Sequence, residues 1–66
     1  MSSINLEEAN LSWAKLIGAN LMGANLKQAI LADAKLIDAD LQKANLYQAS
    51  LREANLTMAN LAQTNL

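Results

Sequence analysis

Leucine at every fifth position is the feature of this sequence that most restricts how the chain can fold. Alanine stands two residues before each leucine from Ala9 to Ala59, with Ile4 and Thr64 in its place in the first and last units. The residue between them is most often asparagine, so the repeating unit is Ala-Asn-Leu-x-x. The leucines recur without a miss at Leu6, Leu11, Leu16, Leu21, Leu26, Leu31, Leu36, Leu41, Leu46, Leu51, Leu56, Leu61 and Leu66. Because the units fill the chain, we expect a single domain over residues 1–66.

A period of five matches neither regular secondary structure. On an α-helix successive leucines would step by about 140° and would spread around the whole surface. On a flat strand they would alternate between the two faces, because five is odd and the side-chain period is two. Within one unit, however, alanine and leucine are two residues apart and share one face of an extended segment. The pattern therefore predicts short extended pieces joined by corners, with alanine and leucine facing a filled interior.

Helix propensity is the strongest objection to this interpretation. Alanine and leucine are good helix formers, and proline is absent. Asparagine is a poor residue for a helix interior, however, and the period yields no apolar stripe. Gly18 and Gly23 both occupy the last position of a unit, where a corner would accommodate a positive φ. We therefore expect a coil of corners and not a helix.

The run from Ile4 to Leu66 resembles the pentapeptide-repeat family. The resemblance implies an all-β fold, a right-handed quadrilateral parallel β-helix (a solenoid) of about three coils with four pentapeptides in each. It places the small residue and the central leucine inside and repeats each face every 20 residues. The implied inner columns are Leu6-Leu26-Leu46-Leu66, Leu11-Leu31-Leu51, Leu16-Leu36-Leu56 and Leu21-Leu41-Leu61.

The two ends of such a coil are expected to be exposed. A chain of 66 residues buries little surface, and each terminal coil presents leucine side chains and unpaired backbone groups. Met1 and Ile4 are expected to cover part of the N-terminal opening, whereas the repeat runs to Leu66 without a cap. Two alternatives follow. The chain is a piece of a longer array, or its ends dock on one another through Leu6, Leu61 and Leu66 and give a homo-oligomer.

The residues that carry most enzyme chemistry are missing. The sequence has no histidine and no cysteine, which removes the commonest general base, nucleophile and metal ligands. Asp38 and Asp40 flank Ala39 and diverge around a corner, whereas a hard cation needs several convergent oxygens. We expect no enzyme activity, no metal or other cofactor, and no small-molecule substrate.

Charge and hydropathy exclude further classes of partner. Five cations against six carboxylates give a net charge of −1, with no basic tract for nucleic acid. No segment approaches the roughly 20 apolar residues of a membrane span, and no signal peptide is apparent. We expect a cytoplasmic protein with no nucleic-acid or membrane partner.

One group of outward positions is unusually apolar. In the expected coil Trp13 lies at a corner, Ile17 and Ile37 share a column, and Ile30 lies on the preceding face. The candidate protein-contact patch, which we call the lateral patch, consists of Trp13, Lys15, Ile17, Ile30, Lys35 and Ile37. An exposed tryptophan near isoleucines is typical of a contact surface, although incidental surface apolarity is the alternative.

Two functions remain open from the sequence. The first is a non-enzymatic structural or protein-interaction module of unknown partner. The second comes from the family resemblance, because some pentapeptide-repeat proteins imitate B-form DNA and inhibit DNA gyrase. This chain lacks the acidic surface and the phenylalanine seen in many of those members, and it shows no interrupting loop or C-terminal dimer module. We therefore favour the interaction module.

Overall fold

The computed structural model describes residues 4–66. Met1 lies outside the described residues, so the expected cover of the N-terminal opening stays a prediction. Within residues 4–66 there is no helix and no strand longer than one residue. The β-structure of these residues consists of nine isolated parallel bridges, to which each pentapeptide contributes one residue. Each extended segment contains only one bridged residue, because the chain turns a corner before a second bridge can form.

Every bridge joins residues that are 20 positions apart, which is the spacing of four pentapeptides. The bridges define four outer faces of the coil by the second residue of each unit, the one between alanine and leucine. These faces are face 1 (Asn5, Asn25, Asn45, Asn65), face 2 (Asn10, Ile30, Ser50), face 3 (Lys15, Lys35, Asn55) and face 4 (Asn20, Asp40, Asn60). Face 1 therefore has one level more than the other three.

Backbone hydrogen bonds between coils repeat in the same form along the chain. The N–H of Leu6 donates to the carbonyl of Asn25 at 2.7 Å, and the N–H of Asn25 donates back to the carbonyl of Ile4 at 2.8 Å. A third bond runs from the corner, where the N–H of Glu8 donates to the carbonyl of Lys27 at 2.9 Å. These bonds pair the backbone groups that an extended chain must satisfy in a closed interior.

The corners are tight turns with a positive φ at the last position of each unit. In the first corner the N–H of Ala9 donates to the carbonyl of Leu6 at 3.0 Å, and Glu8 has φ 62°. This is the pattern of a type II turn, which favours glycine at that place. The prediction for Gly18 and Gly23 is confirmed, with φ 69° and 70°. The other ten corners place a non-glycine residue in the same conformation.

Asparagine acts just before the corner and not within it. The Oδ1 of Asn5 accepts the N–H of Glu7 at 3.1 Å, and the same bond recurs at Asn10, Asn20, Asn25, Asp40, Asn45, Asn55 and Asn60. Each side chain thus satisfies an N–H that the turn leaves unpaired. Stacking of amides along a face is less common, as in the bond from Asn65 Nδ2 to Asn45 Oδ1 at 3.1 Å.

The interior is built from alanine and leucine, as the repeat predicts. The four fully buried large side chains are Leu26, Leu31, Leu36 and Leu41, one from each face. We call the pentapeptides that contain them the middle coil. Alanines on both sides of these leucines are also buried. In the first coil Leu21 is buried, whereas Leu6, Leu11 and Leu16 are half-buried. Burial therefore declines from the middle coil toward each end.

Candidate interaction surfaces

The lateral patch is centred on face 3 and the two corners beside it. Lys15 and Lys35 are a bridged pair on this face. Trp13 lies at the corner between faces 2 and 3, where its N–H donates to the carbonyl of Ala32, and its side chain is 72% exposed. The structure thus brings the tryptophan and the two lysines onto one side of the coil.

The isoleucines of the lateral patch lie in two different places. Ile17 and Ile37 occupy the corner between faces 3 and 4, where the Gly18 N–H donates to the Ile37 carbonyl. Ile17 is exposed and Ile37 is half-buried. Ile30 is exposed at the centre of face 2, so one corner separates it from the lysines. The lateral patch therefore bends around an edge, and its role in binding stays a prediction.

Two exposed apolar side chains were missed by the sequence argument. Tyr47 and Met58 occupy the fourth and fifth positions of their units, and Met58 is 78% exposed. The rule that placed Trp13 outside also places them outside, since the last two positions of every unit form the corner.

The C-terminal end of the coil is open. Leu61 is 36% exposed and Leu66 is 73% exposed, whereas Leu6 at the other end is half-buried. At this C-terminal end the N–H groups of Leu51 and Leu56 make no backbone hydrogen bond within residues 4–66. The N–H groups of Leu31 and Leu36, one coil earlier, donate to the next coil. The end therefore presents both apolar surface and free backbone donors.

The part of the chain that the structure describes has no cavity and no cluster of residues able to hold a metal ion. Of the acidic residues singled out by the sequence, Asp40 accepts the backbone N–H of Gln42 at 3.1 Å and its Nε2 at 3.2 Å. Asp38 is exposed at a corner with φ 61°. These carboxylates belong to the turns, and the interaction surfaces lie on the outer faces and at the ends.

Residues 4–66 include no helix of the length and apolarity that crossing a bilayer requires. The expectation of a cytoplasmic location stays a prediction, because one of the solved structures that resemble this chain comes from a thylakoid lumen.

Two solved structures show the relation to known proteins. A pentapeptide-repeat protein from the cyanobacterium Cyanothece 51142 is 43% identical, with a TM-score of 0.87, over 97% of this chain and 47% of the other. A pentapeptide-repeat protein from the Arabidopsis thaliana thylakoid lumen is 34% identical, with a TM-score of 0.57, over 94% of this chain and 46% of the other. The chain thus spans about half the length of these relatives.

The family comparison agrees with the structural one. No curated protein sequence gives a significant match. The family model for pentapeptide repeats matches residues 4–42 and 29–66, with 8 copies of the repeat. Members of this family form right-handed β-helices, and in this chain the bridges join residues 20 positions apart, as in a coil of four pentapeptides per turn. The chain belongs to the pentapeptide-repeat family.

Proposed function

We propose that this chain is a non-enzymatic structural and protein-interaction module, a rigid stack of slightly more than three coils that binds through its open ends. The observation that carries the proposal is the exposure of Leu66, 73%, at a repeat position that is fully buried in the middle coil. Apolar side chains and unpaired backbone groups at the edge of a β-structure favour addition of another chain. Because both ends carry such groups, a second copy of the chain is the partner that we propose.

The experiment is sedimentation equilibrium of the 66-residue chain over a range of concentrations. We expect an average mass that rises with concentration above the 7.1 kDa of the monomer. Leu66→Lys should lower the mass, since a charge would have to be buried at the contact. The matched control is Gln42→Lys, which adds the same charge at a corner of the middle coil. A folded chain that stays at the monomer mass throughout would contradict the proposal.

The lateral patch is a second contact surface in this proposal. A rigid β-helix loses little conformational entropy on binding, so a modest apolar patch is sufficient for a weak protein contact. Ile30 and Ile37 belong to the middle coil, away from both ends. Substitutions at these two residues therefore test binding through the lateral patch without altering the ends. For a bound protein partner, replacing both with serine should weaken binding without changing the self-association mass. Unchanged affinity would show that the lateral patch makes no contact.

The arrangement of charge favours an interaction module over a mimic of DNA. Carboxylates stack in successive coils at Asp33 and Glu53, but Lys27 follows Glu7 in its column, and Asp40 lies between Asn20 and Asn60. A net charge of −1 gives no extended field of the kind that a polyanion produces. We expect no inhibition in a gyrase supercoiling assay, and inhibition at low concentration would restore the DNA-mimic hypothesis.

A further inference from the structure

Two asparagines of the repeat, Asn10 and Asn55, stand in a distinctive sequence context. They lie in Glu8-Ala9-Asn10-Leu11-Ser12 and in Glu53-Ala54-Asn55-Leu56-Thr57. Asparagine, any residue other than proline, and then serine or threonine is the acceptor sequence for N-linked glycosylation. Other asparagines at the same repeat position have neither a glutamate two residues before them nor a hydroxyl residue two residues after them. These are Asn5, Asn20, Asn25, Asn45 and Asn60.

The carboxamide oxygen of each of the two asparagines is held by the residue two positions later. Asn10 Oδ1 accepts the backbone N–H of Ser12 at 3.1 Å and the Ser12 hydroxyl at 2.7 Å. Asn55 Oδ1 accepts the same pair of donors from Thr57, at 3.1 Å and 2.5 Å. The motif therefore adds a hydroxyl donor to the bond that an asparagine of the repeat makes at its corner.

The carboxamide nitrogen of each remains available for reaction. Oδ1 and Nδ2 lie on opposite sides of the planar carboxamide, so the bonds that hold Oδ1 toward the corner turn Nδ2 away from it. Both asparagines are exposed. Within residues 4–66 the Nδ2 of Asn25 and of Asn65 donates to a neighbouring side chain, whereas the Nδ2 of Asn10 and of Asn55 has no such partner.

We propose that the folded coil presents Asn10 and Asn55 as acceptors for N-linked glycosylation. The donor is a sugar activated by a diphosphate, which is carried by a nucleotide or by a lipid. A bond forms between Nδ2 and C1 of the sugar, and the bond from C1 to the diphosphate oxygen breaks. The diphosphate leaves with the electron pair, and the amide gives up one proton to a base of the transferase.

The hydrogen bonds at Oδ1 favour this transfer. An amide nitrogen is a weak nucleophile until it loses its proton, and negative charge then develops on the carboxamide oxygen. Donors that already point at this oxygen stabilise the charge without having to reorganise. At Asn10 the backbone N–H and the hydroxyl of Ser12 are both in place. The fold thus holds each acceptor in a conformation that suits the reaction.

The glutamate of each motif supplies a second element for recognition. Glu8 and Glu53 are exposed at the corner that precedes their asparagine, with φ 62° and 58°. A carboxylate two residues from the acceptor is within reach of an enzyme that binds the motif, and arginine pairs with carboxylates through two parallel hydrogen bonds. Each motif therefore combines a carboxylate, an amide and a hydroxyl along one short segment.

Both sites are local and lie beside the lateral patch. Their hydrogen bonds join residues two positions apart, so the geometry does not depend on coils above or below. Asn10 is bridged to Ile30, and Asn55 is bridged to Lys35; both neighbours belong to the lateral patch. Sugars at these positions would extend over the patch and block it. This consequence, unlike the acceptor sites themselves, rests on the proposed function.

The experiment incubates the purified, folded chain with two transferases in separate reactions. One is a bacterial oligosaccharyltransferase with a lipid-linked oligosaccharide, and the other is a cytoplasmic N-glycosyltransferase with a nucleoside-diphosphate hexose. Mass spectrometry should find sugar at Asn10 and Asn55 and none at Asn25 or Asn45, and the added mass identifies the donor. The control is Leu36→Asp, which buries an unpaired carboxylate and should not fold. Modification by neither enzyme, or only of this unfolded variant, would overturn the proposal.

Variants of the hydroxyl residues test the geometry of the acceptor. Ser12→Ala should lower modification at Asn10 by about tenfold or more, since the transferase loses a hydroxyl that it must bind. Asn55 in the same chain is the internal control and should be modified as before. Thr57→Ser keeps the hydroxyl and should preserve modification at Asn55, whereas Thr57→Val should abolish it. Equal modification of the serine and valine variants would show that the hydroxyl plays no part.

Fluorescence tests whether attached sugars cover the lateral patch. Trp13 is the only tryptophan of the chain and is 72% exposed, at the corner between the faces that carry Asn10 and Asn55. Acrylamide should quench its fluorescence less in the modified chain than in the unmodified one. The control is the double variant Asn10→Gln with Asn55→Gln, treated with the same enzyme. Unchanged quenching in the modified chain would overturn the blocking of the patch alone, and the serine variants of Ile30 and Ile37 test the lateral contact separately.

Discussion

The middle coil and the C-terminal end both have leucine at the third position of every unit, yet these leucines have opposite surroundings. Leu36 in the middle coil is fully buried, and Leu66 is 73% exposed. The difference arises from the coils above and below and not from the five-residue unit itself. In a solenoid, stability is accordingly a sum over contacts between neighbouring units.

Backbone pairing follows the same division. In the middle coil Lys35 donates its N–H to the Ala14 carbonyl in the preceding coil, and Leu36 donates to the Asn55 carbonyl in the next one. The last coil is paired on one side only. Segments with few buried contacts and free backbone groups open at low free energy, so we expect the C-terminal end to open before the middle coil unfolds.

The largest expected effect contrasts Leu36→Asp with Leu66→Asp. An aspartate at Leu36 would place an unpaired carboxylate in a closed apolar interior and should abolish folding. An aspartate at Leu66 faces solvent and should change the free energy of unfolding by about 0.5 kcal/mol or less. Far-UV circular dichroism during urea titration at low protein concentration would measure both.

A milder pair of variants allows the two positions to be compared in chains that still fold. Leu36→Ala should cost about 2–5 kcal/mol, as large-to-small changes in a core do, while Leu66→Ala should cost much less. Similar costs for the two alanine variants would show that the end is as well packed as the middle coil.

The five-residue period predicted that alanine and leucine face inward, and the family resemblance implied the columns of residues 20 positions apart. The sequence also predicted the corner at Gly18, since glycine favours a positive φ. It did not predict that Trp13, Met58 and eight other non-glycine residues adopt the same conformation. No local preference of tryptophan or methionine indicates a positive φ; the hydrogen bonds between coils impose it.

The placement of the interaction surfaces was predictable only in part. Outward positions follow from the repeat, so Trp13 and Ile17 were identified. The bend of the lateral patch between Ile30 and the lysines depends on which corner separates the faces. The half-buried state of Leu6, against the exposed state of Leu66, depends on three-dimensional packing at the two ends.

An intermediate effect is expected at a corner of the first coil. Gly18 has φ 69°, and a Cβ at this position would meet nothing within 4 Å. Gly18→Ala should therefore cost about 1 kcal/mol, from backbone strain alone and not from a clash. Chemical denaturation would measure it. If the first coil opens before the rest of the chain unfolds, Gly18→Ala should leave the free energy of the main unfolding transition unchanged. That result would mean that the first coil does not unfold cooperatively with the middle coil.

The smallest expected effect is an increase in the free energy of unfolding from a substitution in the middle coil. Lys35 stands where most units of the repeat have asparagine, and its side chain cannot accept a hydrogen bond from the Ile37 N–H. It is also bridged to Lys15, which has the same charge. Lys35→Asn should add the bond that Asn55 makes to the Thr57 N–H at 3.1 Å in the next coil and remove the repulsion. Together these changes should raise the free energy of unfolding by about 0.5–1 kcal/mol.

The control for this gain is Lys35→Gln, which removes the charge but carries an amide one methylene further from the backbone. Asn60→Ala provides the comparison with the end of the coil, because it deletes the bond from the Ala62 N–H to Asn60 Oδ1 at 3.1 Å. If the last coil opens before the middle coil unfolds, Asn60→Ala should lower the free energy of unfolding by less than Lys35→Asn raises it. Equal stability of the asparagine and glutamine variants at position 35 would mean that the gain comes from charge alone, and that the asparagines of the repeat do not stabilise its corners.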